Sequence, residues 1–185
     1  VDGVVWIPGE MNTIQGAINI CVSGDSIKVA AGTYLENIDF DGKNIVMIGA
    51  GPGLSIIDGD TDGDGTGDGS VVTFDSGESS AAVLSGFTIQ GGYAANGGGV
   101  YVIDSNPTLI DISIIGNSTS SGDGGGIYLS GSNASLENMI ISSNVSAQSS
   151  GGVFLSNSNP TLKNITINGN TASTISGGLG MLTSS

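Results

Sequence analysis

The second half of the chain repeats itself. The stretches "GGGVYV", "GGGIYL", "GGVFLS" and "GGLGML" place Gly99, Gly126, Gly152 and Gly178 at steps of 27, 26 and 26 residues. A second motif keeps the same beat. "PTLIDISIIGN", "ASLENMIISSN" and "PTLKNITINGN" set Leu109, Leu136 and Leu162 at steps of 27 and 26. Each of these ends in Ile-x-x-Asn: Ile114 to Asn117, Ile141 to Asn144, Ile167 to Asn170. Two registers sharing one period describe one structural unit repeated in space. Within a unit the apolar residues alternate, Ile165 and Ile167 on one side and Thr166 on the other, or Val100 with Val102. A unit this short cannot bury its own apolar side, but stacked copies can. The period therefore predicts an all-β solenoid with equivalent residues in columns roughly 4.8 Å apart.

That register assigns the columns. Ile112, Met139 and Ile165 fall in one interior column. Asn117, Asn144 and Asn170 form a turn ladder, and Asp111, Asn138 and Asn164 a second one, since Asn tolerates left-handed backbone and its amide bonds along a stack. The four Asn-x-Ser/Thr sequons, at Asn117, Asn133, Asn144 and Asn164, then follow from polar turns rather than from glycosylation.

The first half fits the plan less regularly. "SIKVA", "NIDF" and "NIVMIG" read as three strands of one coil, and "SIID", "VVTF" and "VLSGFTI" as the next. Phe87-Thr88-Ile89 matches Ile112-Ser113-Ile114. The count back from Phe87 to Ile45 leaves room for one coil plus an insertion, the Asp-rich stretch. At the front, "NTIQGAINICV" has the chain's one helical pattern, with Ile14, Ala17, Ile18 and Cys21 on one face and Asn12 or Thr13 to cap it. A helix over about Thr13–Val22 would close the apolar end of the stack, and Cys21 reads as a small buried thiol. The expected layout is a single domain over 1–185. It has a cap over 1–26, irregular coils over 27–97 carrying an acidic loop at 58–70, and regular repeats over 98–185. About six coils are expected. "GGLGMLTSS" stops just inside a new coil, which reads as a piece of a longer protein.

Composition narrows the function. The net charge is −14, the cations are Lys28, Lys43 and Lys163, and there is no Arg, no His and one Cys. Nucleic acid needs a basic footprint. Histidine metal sites, Ser-His-Asp triads and Cys-His pairs are excluded within this chain. No run of apolar residues is long enough to insert in a membrane as a helix.

The loop offers the clearest candidate site. Asp60, Asp62, Asp64, Thr66 (through its carbonyl) and Asp68, with Gly65 between, match positions 1, 3, 5, 7, 9 and 6 of a D-x-D-x-D-G calcium loop. Alternate carboxylates converge on one hard cation when a glycine permits the sharp turn. Position 12 falls on Val71, so the usual bidentate Glu is missing. Asp58, Asp75 or Glu78 would have to close the shell, none of them at the standard spacing, and Asp58 is expected to assist. Ca²⁺ is the expected cofactor, and a flexible acidic loop is the plainer alternative. A second candidate is the column of Tyr101, Tyr128 and Phe154. It points outward if Val100 and Val102 point inward, and it ends at Gly180. It reads either as a strip for a carbohydrate or another surface protein or as a stack that stabilises neighbouring coils.

The stretch from Thr13 to Gly59, "TIQGAI…GDSIKVAAGTYLENIDFDGKNIVMIGAG…SIIDG", resembles the cap and first coil of pectate-lyase-like right-handed parallel β-helix proteins. The Gly-Gly-x-Ile/Val and Ile-x-x-Asn repeats resemble those of chlamydial polymorphic outer membrane proteins. The resemblance implies a right-handed parallel β-helix, exported to the cell surface or the extracellular space. The lyases' arginine base and the pectin esterases' Asp and Arg pattern find no match here, since there is no Arg. In the regular coils Asp104, Asp111, Asp123 and Glu137 show no carboxylate pair at a glycosidase spacing. The function expected is a secreted or cell-surface segment with a structural, adhesive or ligand-presenting role. The alternative is the non-catalytic front part of an exported polysaccharide lyase or glycoside hydrolase.

Overall fold

A computed structural model describes residues 3–183. The described residues wind into a parallel β-solenoid of seven rungs. One sheet runs through strands Val4–Ile7, Ser26–Val29, Val46–Ile48, Val83–Gln90, Thr108–Ile115, Ser135–Ser142 and Thr161–Asn168, with Gly32–Leu35 and Ser55–Asp58 alongside the later half of Val83–Gln90. A second sheet stacks Ile38–Asp39, Val72–Phe74, Val100–Ile103, Ile127–Ser130, Val153–Ser156 and Leu179–Leu182. A third, narrow one stacks Tyr93–Ala94, Ser118–Thr119, Val145–Ser146 and Thr171–Ala172. The strand pairings among the described residues are all parallel, with one coil's residue opposite its equivalent in the next, as in Leu109 against Leu136 and Leu136 against Leu162.

The columns fill the interior as the period predicts. Phe87, Ile112, Met139 and Ile165 are register partners; the first three are buried and Ile165 packs against the core. Ile57, Ile89, Ile114, Ile141 and Ile167 form a second column. The Gly-Gly motif has a steric cause. A Cβ on Gly125 would stand 2.4 Å from the Val145 carbonyl oxygen, so adjacent coils approach too closely there for any side chain.

The Asn ladder is the main polar device. Asn144 Oδ1 accepts from the Asn117 backbone N–H at 2.9 Å and from Asn117 Nδ2 at 3.0 Å. Asn144 Nδ2 donates to the Ile114 carbonyl at 3.0 Å and to Asn170 Oδ1 at 2.9 Å. Asn117 and Asn144 are fully buried, so neither amide is open to a glycan. In the second ladder Gly86, Asp111, Asn138 and Asn164 all have positive φ. Asn138 Nδ2 donates to Asp111 Oδ1, and Asn164 Nδ2 to Asn138 Oδ1, each at 3.0 Å. Asp111 heads this row because a carboxylate accepts but need not donate, and Gly86 ahead of it asks for nothing.

The first coils differ from the expectation in three ways. There are seven rungs rather than six, because Val4–Ile7, inside the stretch read as cap, pairs with Ser26–Val29. "NIVMIG" opens a new coil instead of closing the first, since Val46 pairs with both Ser26 and Val83. Its place in the first coil belongs to Gly32–Leu35, where Tyr34 alone turns to the core, in register with Ile57, and leaves too little alternation to read. The helix, Ile14–Ile20 with Thr13 as N-cap, is interposed between the first two rungs and packs on Val4–Ile7, Ser26–Val29 and Ile38–Asp39. It covers the free front edge of the second sheet. Gln15 acts there as a substitute strand: its Oε1 accepts from Asp39 N at 2.8 Å and its Nε2 donates to Asp39 O at 3.2 Å. Glu36 accepts from the N–H groups of Ile14 and Gln15, and Lys43 Nζ caps the far end through the carbonyls of Ile18 and Asn19. Cys21 is buried and free, and burial pushes its thiol pKa up.

Candidate functional site

The acidic loop joins Ser55–Asp58 in the first sheet to Val72–Phe74 in the second. In the next coil that span is made by Gly91 to Gly99 with the third-sheet strand Tyr93–Ala94 inside it. The loop therefore stands where a third-sheet strand would, at that sheet's front edge. It is tied down on both sides. Gly59 N donates to the Gln90 carbonyl at 2.9 Å, Asp68 N to the Gly59 carbonyl at 3.0 Å, and Tyr93 N to the Gly69 carbonyl at 3.0 Å. Gly67 lies so flat on the next coil that a Cβ would stand 2.0 Å from the Gly91 oxygen.

The carboxylates divide into two groups. Asp58 Oδ2 accepts from Gln90 Nε2 at 2.8 Å, which pins the loop's entrance. Asp68 Oδ2 accepts from both the backbone N–H and the hydroxyl of Thr61, which pins its exit. The other three converge: carboxylate oxygens of Asp60, Asp62 and Asp64 lie within 4.8 Å of one another. Calcium–oxygen bonds run about 2.3–2.6 Å, so oxygens around one ion stand at most ~5 Å apart, and this trio fits within that limit. Asx turns shape it, with Asp62 Oδ1 accepting from Asp64 N and Asp64 Oδ1 from Thr66 N. Gly65, at φ 89°, donates its N–H to Asp60 Oδ2. Asp60 Oδ1 is left buried with no hydrogen-bond partner among the described residues. Val71 is buried and cannot contribute a side-chain ligand; its carbonyl accepts from Ile38 N. Asn37, a residue the spacing gave no reason to notice, lies under the loop's base beside Gly59 with its own Oδ1 buried and unpartnered.

The aromatic column is as the register predicts. Tyr101 is opposite Tyr128, Tyr128 opposite Phe154 and Phe154 opposite Gly180. The ring centroids are 5.6 and 5.7 Å apart at interplanar angles of 18° and 17°. The rings therefore cover one another's faces. Phe154 is only 6% exposed, while Tyr101 and Tyr128 are half-buried. Ahead of Tyr101 the same outward column continues through Thr73 to Asp39.

Asp39 begins a group of acids that the repeat does not reveal, because it joins coils of unequal length. Burial pushes its carboxyl pKa up. The Asp41 N–H it accepts opposes this, and the charges of Asp75, Glu78 and Asp41 add to the rise. Because the folded state holds this proton more tightly than the unfolded chain, the contribution is present at low pH and lost as pH rises through the raised value. Asp39→Asn is therefore expected to stabilise the protein at pH 7, by about 0.5 kcal/mol at a partly exposed site, and to change little at pH 3. Urea unfolding of both forms at the two pH values checks it. Glu78, the buried member, is satisfied by the N–H groups of Gly42 and Ser76 and the hydroxyl of Ser105. In the regular coils Asp111 is taken up in the ladder, Asp123 Oδ1 accepts from Ser149 N, and Glu137 pairs with Lys163.

No protein-family model and no curated protein matches the chain. Solved structures do. A pectin methylesterase in complex with hexasaccharide VII aligns over 81% of this chain and 61% of its own, at 14% identity and a TM-score of 0.48. A mutant pectin methylesterase in complex with hexasaccharide IV aligns over 89% of this chain and 62% of its own, at 13% identity and a TM-score of 0.41. The chain thus spans about three fifths of each of them. At these identities and scores neither likeness bears on this chain's chemistry. No helix among the described residues is long and apolar enough to cross a membrane.

Proposed function

We propose that the chain is a structural, ligand-presenting segment of an exported β-solenoid protein, at the bacterial cell surface or beyond it, in which the acidic loop is a calcium clip. The observation that carries this reading is the convergence of Asp60, Asp62 and Asp64, with Asp60 Oδ1 also buried and without a donor among the described residues. A buried carboxylate oxygen without a partner is costly, and so is a cluster of like charges; one divalent cation relieves both. In this reading Asp60, Asp62 and Asp64 hold the ion, the Thr66 carbonyl joins them, and Asp58 and Asp68 keep the loop in shape from its two ends. A site with three carboxylates and no bidentate Glu suits the high calcium concentrations outside cells. The surface location is proposed only on the motif resemblance of the repeats to those of chlamydial polymorphic outer membrane proteins.

Calorimetric titration of calcium-stripped protein, beside an Asp62→Asn/Asp64→Asn double variant, tests the clip. Wild type is expected to bind one Ca²⁺ and the variant none. At a hundredfold excess over Kd the ion adds about 2.7 kcal/mol to whatever unit unfolds with the loop. Absence of heat at millimolar calcium, or equal binding by both proteins, refutes the reading.

A further inference from the structure

The aromatic column is not a long strip for a ligand, because its rings face each other. Only the ends of the stack have free faces. The front end is Tyr101, whose neighbour in the preceding coil is the small Thr73. A shallow cleft of about 170 Å³ opens against Tyr101 there, between Ser70 of the preceding coil and Ala94, Ala95 and Asn96 of its own. Its rim is polar and only partly engaged. Asn96 Oδ1 accepts from Asp123 N at 2.9 Å, and its Nδ2 has no partner among the described residues. The Ser70 hydroxyl donates to the Asn96 carbonyl at 3.3 Å and keeps its acceptor lone pairs. Tyr101 remains a protonated donor, since burial, Tyr128 and Asp75 all push its pKa up.

We propose that the open face of Tyr101 is a subsite for one ring of a neutral saccharide. A pyranose has an apolar face of C–H groups and a rim of hydroxyls. It matches an aromatic ring bordered by two alanines, an amide donor and two hydroxyls. Neutrality follows from the charges nearby. Asp75 bears on Tyr101, Asp39 lies beyond Thr73 in the same column, and the acidic loop runs directly into Ser70. None of Lys28, Lys43 and Lys163 lines the cleft. A uronate would bring a carboxylate into this field with nothing to pair it, and that rejection is the source of specificity. The inference deepens the ligand-presenting half of the proposed function and is independent of the calcium clip.

The test is calorimetry and saturation-transfer NMR with soluble oligosaccharides of glucose, of mannose and of galacturonate, each with calcium present and after chelation. At least one neutral series is expected to bind, with the galacturonate series at least about tenfold weaker. Tyr101→Ala is expected to weaken the neutral sugar at least about tenfold, with Tyr101→Phe keeping most of the affinity and Asp75→Asn narrowing the gap to galacturonate. Circular dichroism confirms that each variant keeps its fold. Binding by neither neutral series, equal binding of galacturonate, or unchanged binding by Tyr101→Ala overturns the proposal. Sugar binding without calcium binding refutes the clip alone, and calcium binding without sugar binding refutes the subsite alone.

Discussion

Replacing Asn144 with Ala is expected to destabilise the solenoid by about 3–5 kcal/mol, more than removal of any exposed ladder residue. The side chain is buried and makes four hydrogen bonds. Its loss leaves the Asn117 backbone N–H without an acceptor, the Ile114 carbonyl without that donor, and Asn170 Oδ1 with one donor fewer, all in a region water cannot easily reach. Each orphaned buried group costs about 1–3 kcal/mol. Asn144→Asp separates the two halves of the argument. It keeps the acceptor for Asn117 but turns a second acceptor toward the Ile114 carbonyl and Asn170 Oδ1. That variant is expected to be unstable at neutral pH and to recover in acid, where the protonated carboxyl donates again. Asn170→Ala, at a half-buried position, is expected to cost only about 1 kcal/mol. Urea unfolding of the three variants checks the order, and an Asn144→Ala protein as stable as Asn170→Ala would show that the ladder is ornamental.

Phe74→Ala is expected to cost about 3–5 kcal/mol. Phe74 is fully buried, lies in register between Val102 and the start of the second sheet, and meets the Phe40 ring at a centroid distance of 4.3 Å. Its removal opens a cavity where the sheet has narrowed to the short strands Ile38–Asp39 and Val72–Phe74, and it takes away an aromatic pair worth about 0.5–1.5 kcal/mol beyond its buried area. Phe74→Leu restores most of the volume and is expected to recover more than half of the loss. Thermal unfolding of both variants reads this directly.

The regular coils were legible because each inward position recurs at a fixed step and each turn repeats its Asn or Gly-Gly. The interior column of Ile112, Met139 and Ile165, both ladders and the stacking of Tyr101 on Tyr128 and Phe154 all follow from that step. The front coils were harder for a physical reason. Gly32–Leu35 turns only Tyr34 toward the core, in register with Ile57, and Leu35 is 53% exposed, so the strand carries little period-two signal. Val4–Ile7 is a short unbroken apolar run that looks like part of a cap until Ser26–Val29 is paired with it. In the loop, alternation of Asp60, Asp62 and Asp64 announced their convergence. The partners of Asp58 and Asp68 did not show, because Gln90 and Thr61 are chosen by how the loop lies on the next coil. The approach of Asp39 to Asp75 was hidden for the same reason: the coils that bring them together differ in length, so no step in the sequence aligns them.

Hydrogen exchange with and without calcium tests the account most directly. The amides of Asp64, Gly65 and Thr66, which donate within the loop, are expected to lose at least about tenfold in protection when calcium is stripped. Those of Asn117 and Asn144, held by the buried ladder, are expected to exchange at the same rate in both conditions. Loop amides indifferent to calcium, or protection lost throughout the coils, would contradict a rigid solenoid carrying a calcium-held loop.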